Sequence, residues 1–170
     1  MRQRLSPDPF VIPGEVAAAP VEPLRGRDFA ATVGFFRAST EGLVVHVEIL
    51  AVGAAHFGDL AGVGAPGRPG LSLWAEGGGR VVLSNIMSGH EGYPDDSRRA
   101  VRATFELWLP WDLSEPDAPE PDIILAWPER TTDVRRVHLT AAQLREAAHA
   151  SLHLPTTGET WNTSERAGDA

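Results

Sequence analysis

The sequence predicts a mainly β domain: an antiparallel β-sandwich of about seven to nine strands with one short C-terminal helix, a partly closed β-barrel being the alternative. About eight segments show the apolar and polar alternation of half-buried strands. Turn residues separate these segments at the short spacing typical of sandwiches, with 17 glycines and 14 prolines among 170 residues. Only one segment, after Leu139, has the residues that begin and propagate a helix.

One domain with two tails is expected from the length of the chain. Residues 1–13 contain three prolines, which disfavour helix and strand alike, so we expect an extended arm there. Residues 14–154 form a single β-rich domain, since 170 residues fit one hydrophobic core. Residues 155–170 are polar except for Trp161, which predicts a disordered tail.

The first predicted hairpin joins residues 28–38 to residues 43–51 across a short polar link that ends in Gly42. A short edge strand precedes it over residues 15–22, where Pro20 lacks a backbone donor. Both hairpin strands are apolar on one parity, and we expect that parity to face the core: Phe29, Ala31, Val33, Phe35, Leu43, Val45, Val47 and Ile49.

A second hairpin is predicted from residues 71–76 and 80–84, because the glycines between them tolerate a tight turn. Residues 53–70 and 85–99 lack a stable period and predict two long loops. The first loop holds glycines that could imitate a phosphate-binding loop, but no helix pattern follows, which favours a flexible loop: Gly62, Gly64, Gly67 and Gly70.

The remaining strands are residues 102–109, which Pro110 ends, and residues 122–127 and 134–139. Three prolines in residues 111–121 predict a stiff acidic connector between them.

The helix begins after Thr140, which is a good N-cap. Gln143 three residues later completes a capping box, and Leu139 and Leu144 are placed to form a hydrophobic staple. Helix-favouring residues continue to about Ala150.

Composition excludes several function classes. The net charge of −8 opposes binding to a phosphate backbone, so no nucleic-acid partner is expected. The absence of cysteine excludes disulfides, thiolate catalysis and cysteine-ligated metals. No apolar run has the length of a membrane span or the form of a signal peptide, which predicts a cytoplasmic protein without a membrane partner. No cofactor motif is present, and none is expected.

Residues 108–148 (WLPWDLSEPDAPEPDIILAWPERTTDVRRVHLTAAQLREAA) resemble a group of small uncharacterised actinobacterial proteins. The shared features are a strand that ends in Trp and Leu-Pro, a proline-rich link, a strand that ends in Trp-Pro, and a last strand that leads into an alanine-rich helix. The resemblance implies a β-rich domain, and it implies no activity.

The densest group of acid, base and metal-ligand side chains lies in one predicted loop, and it consists of His90, Glu91, Asp95 and Asp96, with Tyr93 between them. Such residues could perform hydrolase-type acid–base chemistry. The alternative is a hydrophilic loop with a turn at Pro94 and Asp95.

Two weaker metal sites are possible. His149 and His153 have the spacing that would place both imidazoles on one helix face, although the helix is ending there and a solvated pair is the alternative. The acidic connector could offer oxygen ligands to Ca²⁺, but its spacing is not that of an EF-hand, and a solvated linker is favoured: Asp112, Glu115, Asp117, Glu120 and Asp122.

The tryptophans suggest a binding face. Strand parity places Trp74 beside Glu76, and Trp108 beside Glu106, on the outer side of their strands. If those strands are neighbours, the two rings form an aromatic patch flanked by carboxylates, suited to a protein hot spot or to stacking on a sugar. The alternative is that the C-terminal helix covers this face and makes it a second half of the core.

We therefore expect a non-catalytic protein-binding or assembly module, which uses an exposed sheet face and loops to hold a protein partner or a second copy. The alternative is a small-molecule hydrolase-type enzyme that uses residues 90–96. The sequence favours the binding module because it lacks a complete catalytic set.

Overall fold

The computed structural model describes residues 6–52, 70–92, 100–115 and 117–154. These residues form a mainly β protein with several antiparallel sheets and one short helix, as predicted. The helix α1 spans Ala141–His149, and the strands are β1 (Val11–Ile12), β2 (Gly14–Glu15), β3 (Leu24–Arg25), β4 (Phe29–Ser39), β5 (Gly42–Val52), β6 (Ser72–Gly77), β7 (Arg80–Leu83), β8 (Asn85–Gly92), β9 (Ala100–Leu109), β10 (Asp122–Ala126), β11 (Val134–His138) and β12 (Leu152–His153).

Two large sheets build a β-sandwich-like fold. The larger sheet has the order β2-β4-β5-β9-β8, with β3 also paired to β4, and the smaller sheet has the order β11-β10-β6-β7. The third sheet is the pair β1-β12. No sheet of the described residues closes into a barrel.

The core lies between the inner faces of the two large sheets, and most of the predicted parity is confirmed. Alternate residues of β5, β6 and β9 are fully or almost fully buried, and they include Leu43, Val45, Val47, Ile49, Leu73, Ala75, Ala103, Phe105, Leu107 and Leu109. Alternation along a strand places these side chains on one face, which removes them from water together.

The predicted parity of β4 is wrong in its second half. A β-bulge at Gly34 shifts the register against β5, so Phe36 replaces Phe35 in the core. Phe35 instead lies on the outer face, where its ring stacks on His46 with centroids 4.5 Å apart. A Cβ atom at Gly34 would come within 2.9 Å of His46 Cδ2, so a larger residue there would displace the His46 ring.

The predicted loop over residues 85–99 is also wrong in its first half. Residues 85–92 are strand β8, which pairs with β9 and carries an irregularity at Met87. Ser84 alone links β7 to β8, and its amide and hydroxyl both donate to the Leu73 carbonyl, at 3.3 and 2.8 Å. The chain therefore passes from one sheet to the other at this buried serine.

The acidic connector contributes to the core at its beginning. Trp111 is buried, and its Nε1 donates to the Pro119 carbonyl at 2.8 Å. The Leu113 amide donates to the Thr40 carbonyl at 2.9 Å, which ties the connector to the first hairpin. The connector thus closes one end of the sandwich between its two sheets.

The helix has the predicted capping box, with Thr140 and Gln143 bonded reciprocally. It packs mainly on β2 and β4, where Leu144 and Ala147 join the core. Gly14 allows this contact, because a Cβ there would lie 2.0 Å from the Ala147 carbonyl oxygen. The helix therefore closes the side of the sandwich where β2 is the edge.

Candidate functional site

The two tryptophans of the predicted patch lie in different sheets. Trp74 is in β6 of the four-stranded sheet, whereas Trp108 is in β9 of the six-stranded sheet. The condition for a shared aromatic patch, that the two strands are neighbours, is therefore not met. The alternative that α1 covers both rings is wrong, since the rings lie on different sheets and α1 packs mainly on β2 and β4.

Trp108 is 0% exposed, although it lies on the outer parity of β9. Its strand partner is Val44, and its six-membered ring lies so close to Gly42 that a Cβ there would be 2.7 Å from it. Glu106, on the same side of the strand, accepts a hydrogen bond from the Ser88 hydroxyl at 3.3 Å. Trp108 is therefore a packing residue, and it leaves Trp74 as the aromatic group of a possible binding face.

The outer side of the four-stranded sheet is the candidate site, and we name it the Trp74 face. Its side chains come from alternate positions of all four strands, opposite the core residues Leu73 and Ala75. They are Ser72, Trp74, Glu76, Val81, Leu83, Asp122, Ile124, Ala126, Val134, Arg136 and His138.

An apolar row crosses the middle of the Trp74 face, and its exposure increases from the buried Ile124 through Trp74 to the exposed Leu83. Strand register places Ile124 beside Trp74, and Trp74 beside Leu83. The Trp74 indole is half-buried, and its Nε1 donates to Glu76 Oε1 at 2.8 Å. The polar edge of the ring is thus satisfied within the face, while Leu83 is 43% exposed at the end of the row.

A charge network borders this row on the side of β11. Arg136 contacts Asp122 at 2.7 Å and Glu76 at 3.6 Å, and His138 contacts Asp122 at 2.9 Å and Glu120 at 3.1 Å. These contacts keep the carboxylates in fixed positions at the rim of the apolar row.

The network shifts the pKa values of its members. Hydrogen bonds from His138 and Arg136 lower the pKa of Asp122. The backbone N–H of Ala141, at the start of α1, is the main cause of the lowered pKa of Glu120, and His138 adds to it. Hydrogen bonds to Asp122 and then Glu120 raise the pKa of His138 above its usual value of 6.5.

The opposite border of the Trp74 face is the exposed strand β7. Val81 is 60% exposed and Leu83 is 43% exposed on the outer side, while Val82 faces the core. Two further apolar side chains, Ile86 and Met87, are exposed just beyond Ser84. Sequence reasoning assigned β7 but missed this exposure, although the parity of Trp74 and Val81 could have indicated it.

The predicted acid–base cluster is only partly within the described residues. His90 is exposed on β8, opposite Thr104 of β9. The backbone of Glu91 belongs to the same strand, but its side chain is not among those that the structure describes. Asp95 and Asp96 lie outside the described residues, so their approach to His90 stays a prediction.

The predicted histidine pair does not form. The helix ends at His149, and His153 belongs to β12, where it pairs with Val11. The two residues are therefore not one helical turn apart. Within the ranges that the structure describes, no group of three or more metal-ligating side chains converges.

Three residues of the acidic connector make side-chain contacts within the protein. Asp112 accepts hydrogen bonds from Ser114, which lower its pKa, while Glu120 and Asp122 bind His138. In the glycine cluster, the Gly70 amide donates to Glu129 Oε2 at 3.1 Å. The element after Gly70 is strand β6, whereas a phosphate-binding loop leads into a helix. Gly62, Gly64 and Gly67 lie outside the described residues.

The outer face of the six-stranded sheet is a second exposed surface, which the sequence did not single out as a site. Arg37 lies over the Phe35 ring, and Glu48 binds Arg102 at 2.9 Å. The Arg102 hydrogen bond lowers the pKa of Glu48. An open cleft of about 330 Å³ lies beside this ion pair, between Pro23 and Leu50. Its lining includes Ala30, Ala31 and Thr32, and it presents no aromatic side chain.

Comparison with known protein families, with curated proteins and with solved structures found no match for this chain. The resemblance over residues 108–148 stays a prediction. Among the described residues, no helix is long and apolar enough to cross a membrane.

Proposed function

We propose that the protein is a non-catalytic module that binds a protein partner through the Trp74 face. The observation that carries the proposal is the apolar edge formed by Val81 and Leu83, which are 60% and 43% exposed, beside the partly exposed Trp74. Exposed apolar groups that are contiguous and rimmed by charges are typical of protein-binding surfaces.

The composition of the face supports binding to a protein. Tryptophan supplies large contact area at a small entropic cost, and it is enriched among residues that dominate binding energy. The Trp74 ring is already held by its hydrogen bond to Glu76, so binding a partner costs little side-chain entropy at this residue. Glu76, Asp122 and Arg136 at the rim can exclude water from the centre of a complex.

The enzyme alternative stays a prediction, as does a cytoplasmic location. The described member of the acid–base cluster, His90, is exposed on a sheet surface. General acid–base catalysis requires partners held within hydrogen-bond reach of a reacting group, usually in a concave site. The Trp74 face combines an exposed apolar edge, a tryptophan and a charged rim, whereas the described part of residues 90–96 shows no such partners for His90.

The proposal is tested by affinity capture from extract of the cells that make the protein, with paired variants. Trp74→Ala and Leu83→Lys change the Trp74 face. Leu50→Lys is the matched control, since Leu50 is 46% exposed on the outer face of the other sheet. All three variants are first compared with wild type by circular dichroism and thermal unfolding.

We expect a protein captured by wild type and by Leu50→Lys, and lost with both Trp74-face variants. Truncation of a hot-spot tryptophan costs about 2 kcal/mol or more of binding free energy, which corresponds to about 30-fold weaker binding. Equal capture by all folded variants would refute the Trp74 face as the binding surface.

A further inference from the structure

The backbone of β7 is oriented by the turn before it. Gly78 and Gly79 have φ values of 55° and 73°, which makes a two-residue turn of the primed type between the paired residues Gly77 and Arg80. In such a hairpin the residues flanking the turn are bonded to each other, and alternate residues point their backbone groups to opposite sides. Arg80 and Val82 therefore bond to β6.

The same alternation directs the N–H and C=O groups of Val81 and Leu83 away from β6. The position of Ser84 agrees, since its amide donates back to Leu73 of β6 at 3.3 Å, in phase with Arg80 and Val82. The four-stranded sheet ends at β7 in the part of the chain that the structure describes. Val81 and Leu83 thus offer strand donors and acceptors beside exposed apolar side chains.

Two other edges of the described sheets, β11 and β2, have protection that β7 lacks. At the opposite edge of the same sheet, β11 carries Arg135, Arg136 and His138, and charged residues discourage strand addition. The β2 edge of the larger sheet lies under α1, which contacts Gly14. The β7 edge has Val81 and Leu83 exposed instead, with no charge between them.

We propose that β7 accepts an added strand: an extended segment of a protein partner, apolar at alternate positions and basic at its ends. This inference rests on the proposed function and specifies its mode. Strand addition supplies backbone hydrogen bonds for affinity, and alternate side chains provide specificity. Outer side chains of the added strand would extend the row Ile124–Trp74–Leu83, and inner ones would lie beside Val82.

Charge selects a basic segment rather than a second copy of this chain. The chain carries a net charge of −8, so self-pairing at β7 brings together two strongly acidic proteins. Arg80, the one charged residue of β7, lies over the Trp111 ring 5.0 Å from its centroid. The side chain beside Val81 on β6 is Glu76, whose carboxylate is 38% exposed. This carboxylate lies 3.6 Å from Arg136, but Arg136 is shared with Asp122, so the local charge still favours a cationic partner.

The test uses the whole chain and a synthetic peptide, Lys-Thr-Val-Thr-Val-Thr-Val-Thr-Lys, labelled with fluorescein. The control peptide has the same side chains, but its two central amides are N-methylated, which removes one donor from each edge. Binding is followed by fluorescence anisotropy. Val81→Pro removes the outward N–H of β7, and Val81→Thr is the matched variant that keeps it.

We expect wild type and Val81→Thr to bind the first peptide, with at least a tenfold weakening for the N-methylated peptide and for Val81→Pro. The N-methylated peptide decides the question on wild type even if Val81→Pro fails to fold. Equal binding of both peptides, or no binding of either at millimolar concentration, overturns strand addition.

Two further outcomes separate the proposals. If the peptides fail while the Trp74-face variants still lose a captured protein, the binding face stands and the strand-addition mode is wrong. If sedimentation shows a dimer that Val81→Pro abolishes, β7 pairs with a second copy, and a basic partner segment is wrong.

Discussion

Truncation of Trp108 tests the assignment of this residue to the packed interior. The side chain is 0% exposed, and its ring lies against Gly42. A buried tryptophan removes roughly 200 Å² from water, which corresponds to an upper bound of about 5 kcal/mol at roughly 25 cal/mol per Å². We therefore expect Trp108→Ala to lower the free energy of unfolding by about 3–5 kcal/mol.

The assay is urea unfolding followed by far-UV circular dichroism, because four other tryptophans complicate the fluorescence. Single domains are stable by only about 5–15 kcal/mol, so Trp108→Phe is measured as a milder variant. Trp74→Ala is the comparison, and its loss should be smaller than that of Trp108→Ala because Trp74 is only partly buried. A loss below about 1 kcal/mol in Trp108→Ala would refute the interior assignment.

Three further predictions concern the supports of the fold. Gly14→Ala places a Cβ 2.0 Å from the Ala147 carbonyl oxygen, and thermal unfolding should show a loss of about 1–3 kcal/mol. Gly78→Val forces a β-branched residue to φ 55° beside Pro119, and the same measurement should show a loss of at least about 1 kcal/mol. The raised pKa of His138 gives stability that is present below pH 6.5 and lost as pH rises through that pKa. Asp122 is still ionised at pH 5.5 because its pKa is lowered, so His138→Gln should destabilise more at pH 5.5 than at pH 8.5, by a few tenths of a kcal/mol. A loss independent of pH would contradict this role.

Hairpins and the helix could be predicted from the sequence because their signals are local. The glycine run at residues 77–79 predicts a tight turn, of which the structure uses Gly78 and Gly79, and Thr140 with Gln143 predicts a helix start. Alternation then places Leu73 and Ala75 on the core side without any knowledge of the partner strand.

The errors arise where pairing overrides local preference. The bulge at Gly34 depends on how β4 meets His46 of β5, so parity alone assigned Phe35 to the core. Residues 85–92 contain two glycines and little alternation, yet pairing with β9 makes them a strand.

The candidate site could be predicted only in part. Parity correctly placed Trp74 beside Glu76, but the partition of strands between two sheets separates Trp74 from Trp108. Parity also cannot distinguish an outer position that is open from one filled by its neighbours, as Trp108 is beside Val44. The contribution of Arg136 depends on the β10-β11 register, which no local signal specifies.

Site-specific photo-crosslinking in the cells that make the protein is the most direct test of the claim that the β7 side of the Trp74 face binds a partner. The photoreactive residue replaces Leu83 in one protein and Leu50, which is similarly exposed on the other sheet, in its control. We predict one discrete protein adduct from position 83 and none from position 50. Adducts of equal yield at both positions, or no adduct at position 83, would contradict that claim.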